Sequence, residues 1–308
     1  MKINNYMNFK AIVSLIIALA GLQIEAQQDP QVTQYMYNMN IVNPAYAGST
    51  EAISLGLLGR TQWVGLDGAP KTVTFSIHSP VGKNIGLGMS VVSDKIGPVN
   101  ESNLNADFSY TLKTSDIGKL ALGLKAGVTF QDLGLATITT VSPDVNFTDN
   151  INNTFPNFGV GAFYYTDKFY AGIAMPNMIK SNHFEKQGGI ISKATEKMHY
   201  FINSGYVFDI TENLKFKPSV LLKAVTGSPV SMDLSSNFLI NERLELGASY
   251  RIDDSFSGLV NFAVNQNLRI GYAYDHTISN LGDYNSGSHE VIVRYDFHFY
   301  KYKSPRFF

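Results

Sequence analysis

The clearest pattern along this chain is an alternation of apolar and polar residues. In residues 71–79, KTVTFSIHS, the apolar residues Val73, Phe75 and Ile77 would share one face of a β-strand, with polar residues between them. Residues 103–113, NLNADFSYTLK, repeat that pattern. Such alternation indicates a strand, and after residue 26 we find no segment with the periodicity of an amphipathic helix. The pattern therefore predicts an all-β protein.

The same alternation defines about fourteen candidate strands along the chain. We place them at residues 52–60, 71–79, 84–93, 103–113, 119–130, 157–166, 168–175, 198–209, 214–224, 230–240, 243–252, 258–266, 268–276 and 289–302. The connections after the even-numbered strands are short, whereas most of those after the odd-numbered strands are long. Alternating tight turns and long loops, with an even strand count, are typical of an up-and-down β-barrel.

The two faces of these strands distinguish a membrane barrel from a soluble β-sandwich. One face is almost entirely aliphatic and aromatic, while the other carries small, polar and charged residues, as in a wall between lipid and a polar lumen. The composition agrees, with 17 Tyr, 20 Phe, 26 Gly, 16% charged residues and no Cys. We predict a transmembrane antiparallel barrel in the outer membrane of a Gram-negative bacterium, with the tight turns and both termini in the periplasm.

The N-terminal residues resemble a secretory signal peptide. Lys2 and Lys10 precede an apolar run at residues 11–22, and residues 24–26 offer a cleavage site that ends in a small side chain. A transmembrane helix needs about 20 apolar residues, and this run is shorter. We therefore divide the chain into a signal peptide at 1–26, a periplasmic extension or plug at 27–50, and a barrel at 51–308.

The segment before the first strand has no regular period, yet it is not typical of a disordered tail. It has few charges and several tyrosines, whose rings need apolar surroundings and whose hydroxyls need partners. Asn43-Pro44 predicts a turn, and Gly48 would release the chain into the first strand. We expect part of the segment to pack in or under the barrel mouth. The candidate plug or partner contacts are Tyr35, Tyr37, Asn43, Pro44, Tyr46, Gly48 and Trp63.

Charged residues recur on the predicted inner face of the strands. The candidate lumen charges are Lys125, Arg243, Arg251, Arg269, Asp275, Arg294 and Asp296. They are compatible with a mutually paired network that stiffens the wall, which we favour, and with a polar transport path. Barrels of about eight strands are filled by side chains and porins of about 16–18 strands leave a channel, so the strand number alone does not separate the two interpretations.

No motif for catalysis, metal binding or nucleic-acid binding stands out. The chain has 24 basic and 25 acidic residues, which gives no support for a nucleic-acid partner. His183 and His289 each lie near a carboxylate, but a metal site needs three or four converging ligands. No pattern signals a Ser-His-acid triad. We expect no enzymatic activity, no bound metal and no cofactor.

Four blocks of sequence carry a family resemblance. DPQVTQYMYNMNIVNPAYAGS begins at residue 29, and GYAYDHTISNLGDYNSGSHEVIVRYDF begins at residue 271. Between them lie RTQWVGLDGAPKTVTFSIHSPV and PNFGVGAFYYTDKFYAGIAMPNM. Together these blocks resemble the PorP/SprF family of the type IX secretion and gliding machinery of Gram-negative bacteria. The resemblance covers essentially the whole chain after the signal peptide.

That resemblance implies an integral outer-membrane protein without catalytic activity. It also implies contact with membrane lipid, with type IX secretion components, and with a large secreted adhesin that carries a C-terminal sorting domain. The alternative, from strand number and a polar lumen, is a passive channel or a carrier for apolar ligands. A third possibility is a purely structural anchor for peptidoglycan-associated partners.

Overall fold

The computed structural model describes residues 31–137, 150–178, 182–187, 190–195, 198–225 and 228–298. The predicted signal peptide and the aromatic C-terminal residues lie outside these ranges. Within them, no helix has both the length and the apolar character needed to cross a membrane.

Seventeen strands are present in the described residues. They are β1 Ala52–Thr61, β2 Lys71–Pro80, β3 Ile85–Ile96, β4 Val99–Lys113, β5 Lys119–Leu133, β6 Ile151–Tyr165, β7 Phe169–Met175, β8 Asn182–Gln187, β9 Ile190–Thr195, β10 His199–Tyr206, β11 Phe208–Thr211, β12 Leu214–Val225, β13 Ser231–Ile240, β14 Leu244–Arg251, β15 Ser255–Ala263, β16 Leu268–Thr277 and β17 Ser288–His298. All pairings between them are antiparallel, as predicted.

The strands close into a fourteen-stranded barrel, because β1 pairs with both β2 and β17. β10 and β11 form one wall strand, since both pair with β12 in the same register. The pairing is interrupted beside Pro218, whose nitrogen has no hydrogen to donate to the ladder. The remaining two strands, β8 and β9, pair only with each other and form a hairpin inside a predicted loop. The predicted barrel fold and strand number are confirmed.

The outer face of the wall is apolar and the inner face is polar. On β5, Leu124 is 59% exposed, whereas the next residue, Lys125, is 3% exposed. This alternation holds around the barrel, because side chains point to opposite faces of a strand in turn. Some apolar side chains also point inward, and they form a core with those of residues 35–46. This core includes Tyr35, Met36, Tyr37, Met39, Tyr46, Leu58, Phe163, Tyr170, Phe201 and Ile292.

We call the two ends of the barrel the turn rim and the loop rim. The turn rim carries the short connections at residues 81–84, 114–118, 166–168, 212–213, 241–243 and 264–267. The loop rim is the opposite end, where β1 continues to β2, β3 to β4, β5 to β6, β7 to β10, β12 to β13, β14 to β15 and β16 to β17.

One predicted connection at the loop rim is wrong. We expected residues 94–102 to form the link between the third and fourth strands, but β3 and β4 continue to a two-residue turn at Gly97 and Pro98. Gly97 has a φ of +55°, a conformation that suits glycine in tight turns. The added strand ends are mostly polar and carry apolar side chains only at Ile96 and Val99, so they show no apolar–polar alternation.

Candidate functional site: a plug in the barrel lumen

Residues 31–50, which we call the plug, run through the lumen from the loop rim to the start of β1 at the turn rim. The plug folds into three short helical turns, at Tyr35–Tyr37, Met39–Val42 and Pro44–Tyr46. Asn43 caps the third turn, because its Oδ1 accepts a hydrogen bond of 3.0 Å from the backbone N–H of Ala45. Most plug residues are buried although the segment belongs to no sheet.

A buried ionic cluster holds the first part of the plug near the loop rim. Arg60 of β1 lies 2.6 Å from the Asp275 carboxylate and 3.1 Å from that of Glu290. Glu290 also accepts the backbone N–H groups of Thr33 at 2.9 Å and Gln34 at 2.7 Å. The Thr33 hydroxyl donates to Asp275. Buried carboxylates need such partners, so the cluster is complete only with the plug in place.

A second ionic contact joins the first described residue to the wall. Arg251 donates to both carboxylate oxygens of Asp233, at 2.7 and 2.9 Å. The same guanidinium donates to Oε1 of Gln31 at 2.9 Å. Since Arg251 ends β14 at the loop rim, this contact places Gln31 at that rim, whereas β17 ends at the turn rim.

Lys125 connects the wall to the middle of the plug. Its ammonium lies 3.2 Å from the Asp107 carboxylate on the neighbouring strand. It also donates to the backbone carbonyls of Asn40 and Ile41, each at 3.3 Å. The Lys125 ammonium thus binds main-chain carbonyls of the plug, at a helical turn whose last carbonyl groups have no partner within the turn.

Tyr37 and Tyr46 bind polar groups and rings at the turn-rim half of the lumen. The Tyr37 hydroxyl donates to Glu245, which also pairs with Arg269 at 3.3 Å. The Tyr46 ring packs edge-on against His78 and Phe163, with centroid distances of 5.3 and 5.4 Å. Each tyrosine therefore combines apolar burial with a polar neighbour.

Arg294 and Asp296 form another inner-wall pair in this half of the barrel. Their side chains are 3.0 Å apart, and Arg294 also interacts with the Tyr46 hydroxyl. Asp296 lies on β17 opposite Ser54 of β1, beside the place where the plug joins the wall. The pair therefore lies at the seam between the first and last strands, next to the plug.

The segment Asn43–Gly48 lies on a row of glycines that we call the glycine track. Its members are inner-face glycines of four strands: Gly86, Gly123, Gly161 and Gly172. A β-carbon at Gly123 would lie 2.5 Å from the Cα of Ala45, and one at Gly86 would lie 2.6 Å from the carbonyl carbon of Ala47. Only glycine allows the plug's backbone to approach the wall this closely.

A cavity lies between the plug and the loop rim. It holds about 110 Å³ of space for water-sized molecules and opens towards the loops. Its apolar lining comes from Val32, Tyr35, Ile41, Val42, Val92, Phe201 and Leu221, and its polar lining includes Asn103, Asn105, Asn177 and Lys223.

Comparison with known proteins identifies the family. The sequence model described as type IX secretion system membrane protein PorP/SprF matches residues 24–295. This chain belongs to the PorP/SprF family. The PorP/SprF chain matches no curated protein.

Several solved outer-membrane barrels share its fold. The CymD monoaromatic hydrocarbon channel is 11% identical, with 85% of this chain and 93% of that chain covered and a TM-score of 0.50. The TodX deltaS2S3 mutant monoaromatic hydrocarbon channel is 10% identical, with 85% and 94% covered and the same TM-score of 0.50. Omp33 of Acinetobacter baumannii is 10% identical, with 81% and 100% covered and a TM-score of 0.45.

The PorP/SprF protein is an integral outer-membrane protein of type IX secretion. Its apolar outer wall makes contact with lipid, as the alternation along the strands indicated. Among the described residues, no group of three or more acidic or histidine side chains is placed to hold a metal ion.

The structure brings most of the predicted site residues together at the plug. Tyr35, Tyr37, Asn43, Pro44 and Tyr46 are buried in the lumen. Gly48, with a φ of +71°, packs against Gly86 and Pro80. The inner-face charges Lys125, Arg251, Arg269, Asp275, Arg294 and Asp296 line the lumen around the plug.

Two predicted residues lie elsewhere. Arg243 is exposed in the turn that precedes β14, so its predicted place in the lumen is wrong. The predicted strand started at Arg243, whereas β14 starts one residue later, at Leu244. Trp63 lies at the loop rim, where its backbone N–H donates to the Ser288 hydroxyl at 3.2 Å.

Sequence reasoning missed the central residues of the ionic cluster, Arg60 and Glu290. Both share the inward parity of their strands, so the signal was present in the alternation that identified Arg294. The spacing of Gly86 and Gly88 in β3, and of Gly159 and Gly161 in β6, is a sequence signal that could have indicated space on the inner face. Only the structure shows that the plug residues Asn43–Gly48 occupy that space.

Proposed function

We propose that this PorP/SprF protein is a non-catalytic barrel that assists export or surface attachment of large adhesins, including gliding adhesins, by protein–protein contact. The partner would carry a C-terminal sorting domain. The main support is the plug: the chain's own residues occupy the middle of the lumen and are bound by buried ion pairs and close backbone packing. The surfaces left for a partner are the two rims.

The two rims would serve different partners. Following the usual orientation of outer-membrane barrels, the tight turns would face the periplasm and the longer connections would face the outside. A secreted adhesin would then meet the loop rim. Machinery subunits in the periplasm would meet the turn rim, where Lys83, Lys113 and Lys119 surround Glu51 and the end of the plug.

Deletion of the gene, followed by proteomics of the cell surface, tests this function. We expect one or more large sorting-domain proteins to disappear from the surface and to return on complementation with the wild-type gene. A matched strain should express a barrel with Leu124→Ile, which changes a side chain on the apolar outer face of β5 and should restore attachment. If every adhesin remains exported and attached without the barrel, the proposed function is wrong.

The cavity above the plug favours a second candidate function, a carrier for apolar ligands. Its lining combines apolar side chains with a few amides, which is a common composition for small-molecule sites. Planar-bilayer recordings and uptake of a radiolabelled apolar solute separate the two candidates. The adhesin function predicts no steady conductance and no saturable uptake, whereas a carrier predicts uptake that Phe201→Ala weakens.

A further inference from the structure

Two lysines on the outer wall depart from the charge pattern of the barrel. Every other lysine and arginine within the described wall strands lies at an inward position of the alternation. The exceptions are Lys71 of β2 and Lys95 of β3, which are exposed on the outer face at the loop rim. The register places them directly opposite each other. The two outward cations of these strands are therefore neighbours.

The fold alone does not explain this pair of like charges. Side chains directly opposite each other on neighbouring strands have β-carbons about 5 Å apart, and like charges at that spacing are destabilising. Neither ammonium forms an ion pair with a described residue. On the wall strands, the nearest outward carboxylate is that of Asp132, two strands or about 10 Å from Lys95. An anion from outside the chain would offset the repulsion.

The lysines stand at the edge of the apolar band. On the same strands and on β4, the exposed apolar side chains Val73, Met89 and Leu104 lie nearer the middle of the wall. Lys71 is two residues beyond Val73, which is about 7 Å further along the strand. Because lipid chains cover the apolar band, the lipid headgroups lie at the level of the lysines. The ligand nearest to both ammonium groups is therefore a headgroup.

Two hydroxyl groups add donors beside the lysines. Ser93 of β3 and Ser102 of β4 lie opposite each other, in the next outward row towards the middle of the wall. The Ser102 Oγ donates to the Ser93 Oγ at 3.3 Å, in an exposed position. An ammonium group has three N–H donors and a hydroxyl has one, and both types bind phosphate oxygens. The four side chains thus form a small donor surface that suits a phosphate group.

The opposite part of the wall has a different composition. Its exposed side chains at the loop rim are aliphatic or aromatic, namely Tyr250, Ile252, Phe256 and Ile278. The apolar surface therefore reaches the rim on β14, β15 and β16, whereas cations and hydroxyls replace it on β2, β3 and β4. Contact with charged headgroups is thus concentrated on one sector of the barrel.

We propose that Lys71 and Lys95, with Ser93 and Ser102, bind the phosphate group of an anionic membrane lipid at the loop rim. The lysines supply the charge, and the apolar band below holds the lipid chains. With the loop rim outside, the ligand is a phosphorylated glycolipid of the outer leaflet, such as lipid A. Only this choice of leaflet depends on the orientation used for the proposed function.

Native mass spectrometry of the full-length barrel in detergent tests the site. The wild type is compared with a double variant, Lys71→Ala with Lys95→Ala, in binding of lipid A, phosphatidylglycerol and phosphatidylcholine. We expect the affinity for lipid A to fall about 30-fold in the double variant, because each lysine beside anionic lipid contributes roughly fivefold. Phosphatidylcholine, whose headgroup has no net charge, should bind weakly and equally to both proteins.

Two further variants separate a local site from a general effect of charge. Lys71→Arg with Lys95→Arg keeps both charges and should keep most of the affinity. Lys168→Ala with Arg243→Ala removes two exposed cations from the turn rim and should leave lipid A binding unchanged. In detergent without lipid, the alanine variant at residues 71 and 95 should unfold at or above the wild-type urea midpoint, because it removes a repulsion.

Fluorescence quenching locates the bound lipid on the wall. The chain has no cysteine, so Ser93→Cys takes a single fluorescent label, and Ser236→Cys on the exposed face of β13 is the matched control. The quencher is phosphatidylglycerol that carries a nitroxide next to its headgroup, added to barrel in phosphatidylcholine nanodiscs. We expect stronger quenching at residue 93 than at residue 236, and equal quenching once both lysines are alanine.

Several results would overturn the proposal. They are equal lipid A affinity of the wild type and the alanine variant, an equal loss in the turn-rim control, equal quenching at the two labelled positions, or a lower urea midpoint without lipid. Displacement of the lipid by inorganic phosphate would assign the lysines to a soluble anion, and displacement by polyglutamate would assign them to an acidic protein. Tighter binding of phosphatidylglycerol than of lipid A would contradict the outer-leaflet assignment. The gene-deletion test does not depend on these outcomes.

Discussion

The two halves of the plug are bound to the barrel by different forces. Residues 31–37 depend on buried charges and polar side chains from β1, β14, β16 and β17. Residues 43–48 make fewer charged contacts and lie against glycines of β3, β5, β6 and β7, where close backbone packing limits the fit. A charged contact tolerates small shifts but not the loss of a partner, whereas a close backbone contact tolerates no added atom. Substitutions in the two halves should therefore lower the free energy of unfolding by different amounts.

The largest loss of stability is expected from a substitution in the buried ionic cluster of Arg60, Asp275 and Glu290. Glu290→Ala leaves the Thr33 and Gln34 amides without their acceptor and takes one carboxylate from Arg60. Breaking a buried pair in this way should lower the free energy of unfolding by about 3–5 kcal/mol. Urea unfolding followed by fluorescence of the single tryptophan, Trp63, measures it. If Glu290→Ala and the exposed control Glu212→Ala have the same free energy of unfolding, the cluster does not hold the plug.

The second-largest loss of stability is expected at Tyr37, whose hydroxyl donates to Glu245 in the turn-rim half of the lumen. Tyr37→Phe keeps the ring but removes the hydroxyl that donates to buried Glu245. A hydrogen bond to a charged group contributes about 1.5–3 kcal/mol, and the same urea titration should show a loss in that range. Tyr284→Phe, at an exposed loop tyrosine, is the control. Equal stability of the two variants would contradict the role given to Glu245.

The glycine half should respond to a single methyl group. Gly123→Ala would place a β-carbon 2.5 Å from the Cα of Ala45, and the backbone on both sides leaves little room to relax. Overpacking of this kind costs about 1–3 kcal/mol. Gly258→Ala is the matched control, because no atom lies within 4 Å of the position where its β-carbon would be. Comparable stability of these two variants would mean that the plug does not rest on the track.

The smallest effect is expected outside the plug. Lys113 and Asp116 form an ion pair of 3.5 Å at the turn rim, where both side chains are exposed to water. Screening by solvent makes such a pair nearly neutral for stability, so Lys113→Ala should unfold at the wild-type urea midpoint. A clear destabilisation would show that exposed charges matter as much as the buried ones, and would remove the contrast between the regions.

Much of the candidate site followed from simple rules. The tyrosines of residues 35–46 needed burial, and inward parity along the strands located Lys125, Arg251 and Asp275 on the lumen face. The contacts among them did not follow, because a strand pattern specifies a face and not the position around the barrel. Thr33 and Glu290, for example, are 257 residues apart in sequence and meet only after closure.

The sequence by itself determined the class of fold, the strand number and the apolar outer face. Those properties depend on local period and on the lipid, which acts on every strand in the same way. Tertiary structure decided the path of the plug, its ionic partners and its seat on the glycine track, because these join distant strands. It also decided how far β4, β5 and β6 extend at the loop rim. Above the lipid both faces of a strand can be polar, so the alternation that revealed the barrel no longer marks the strand ends.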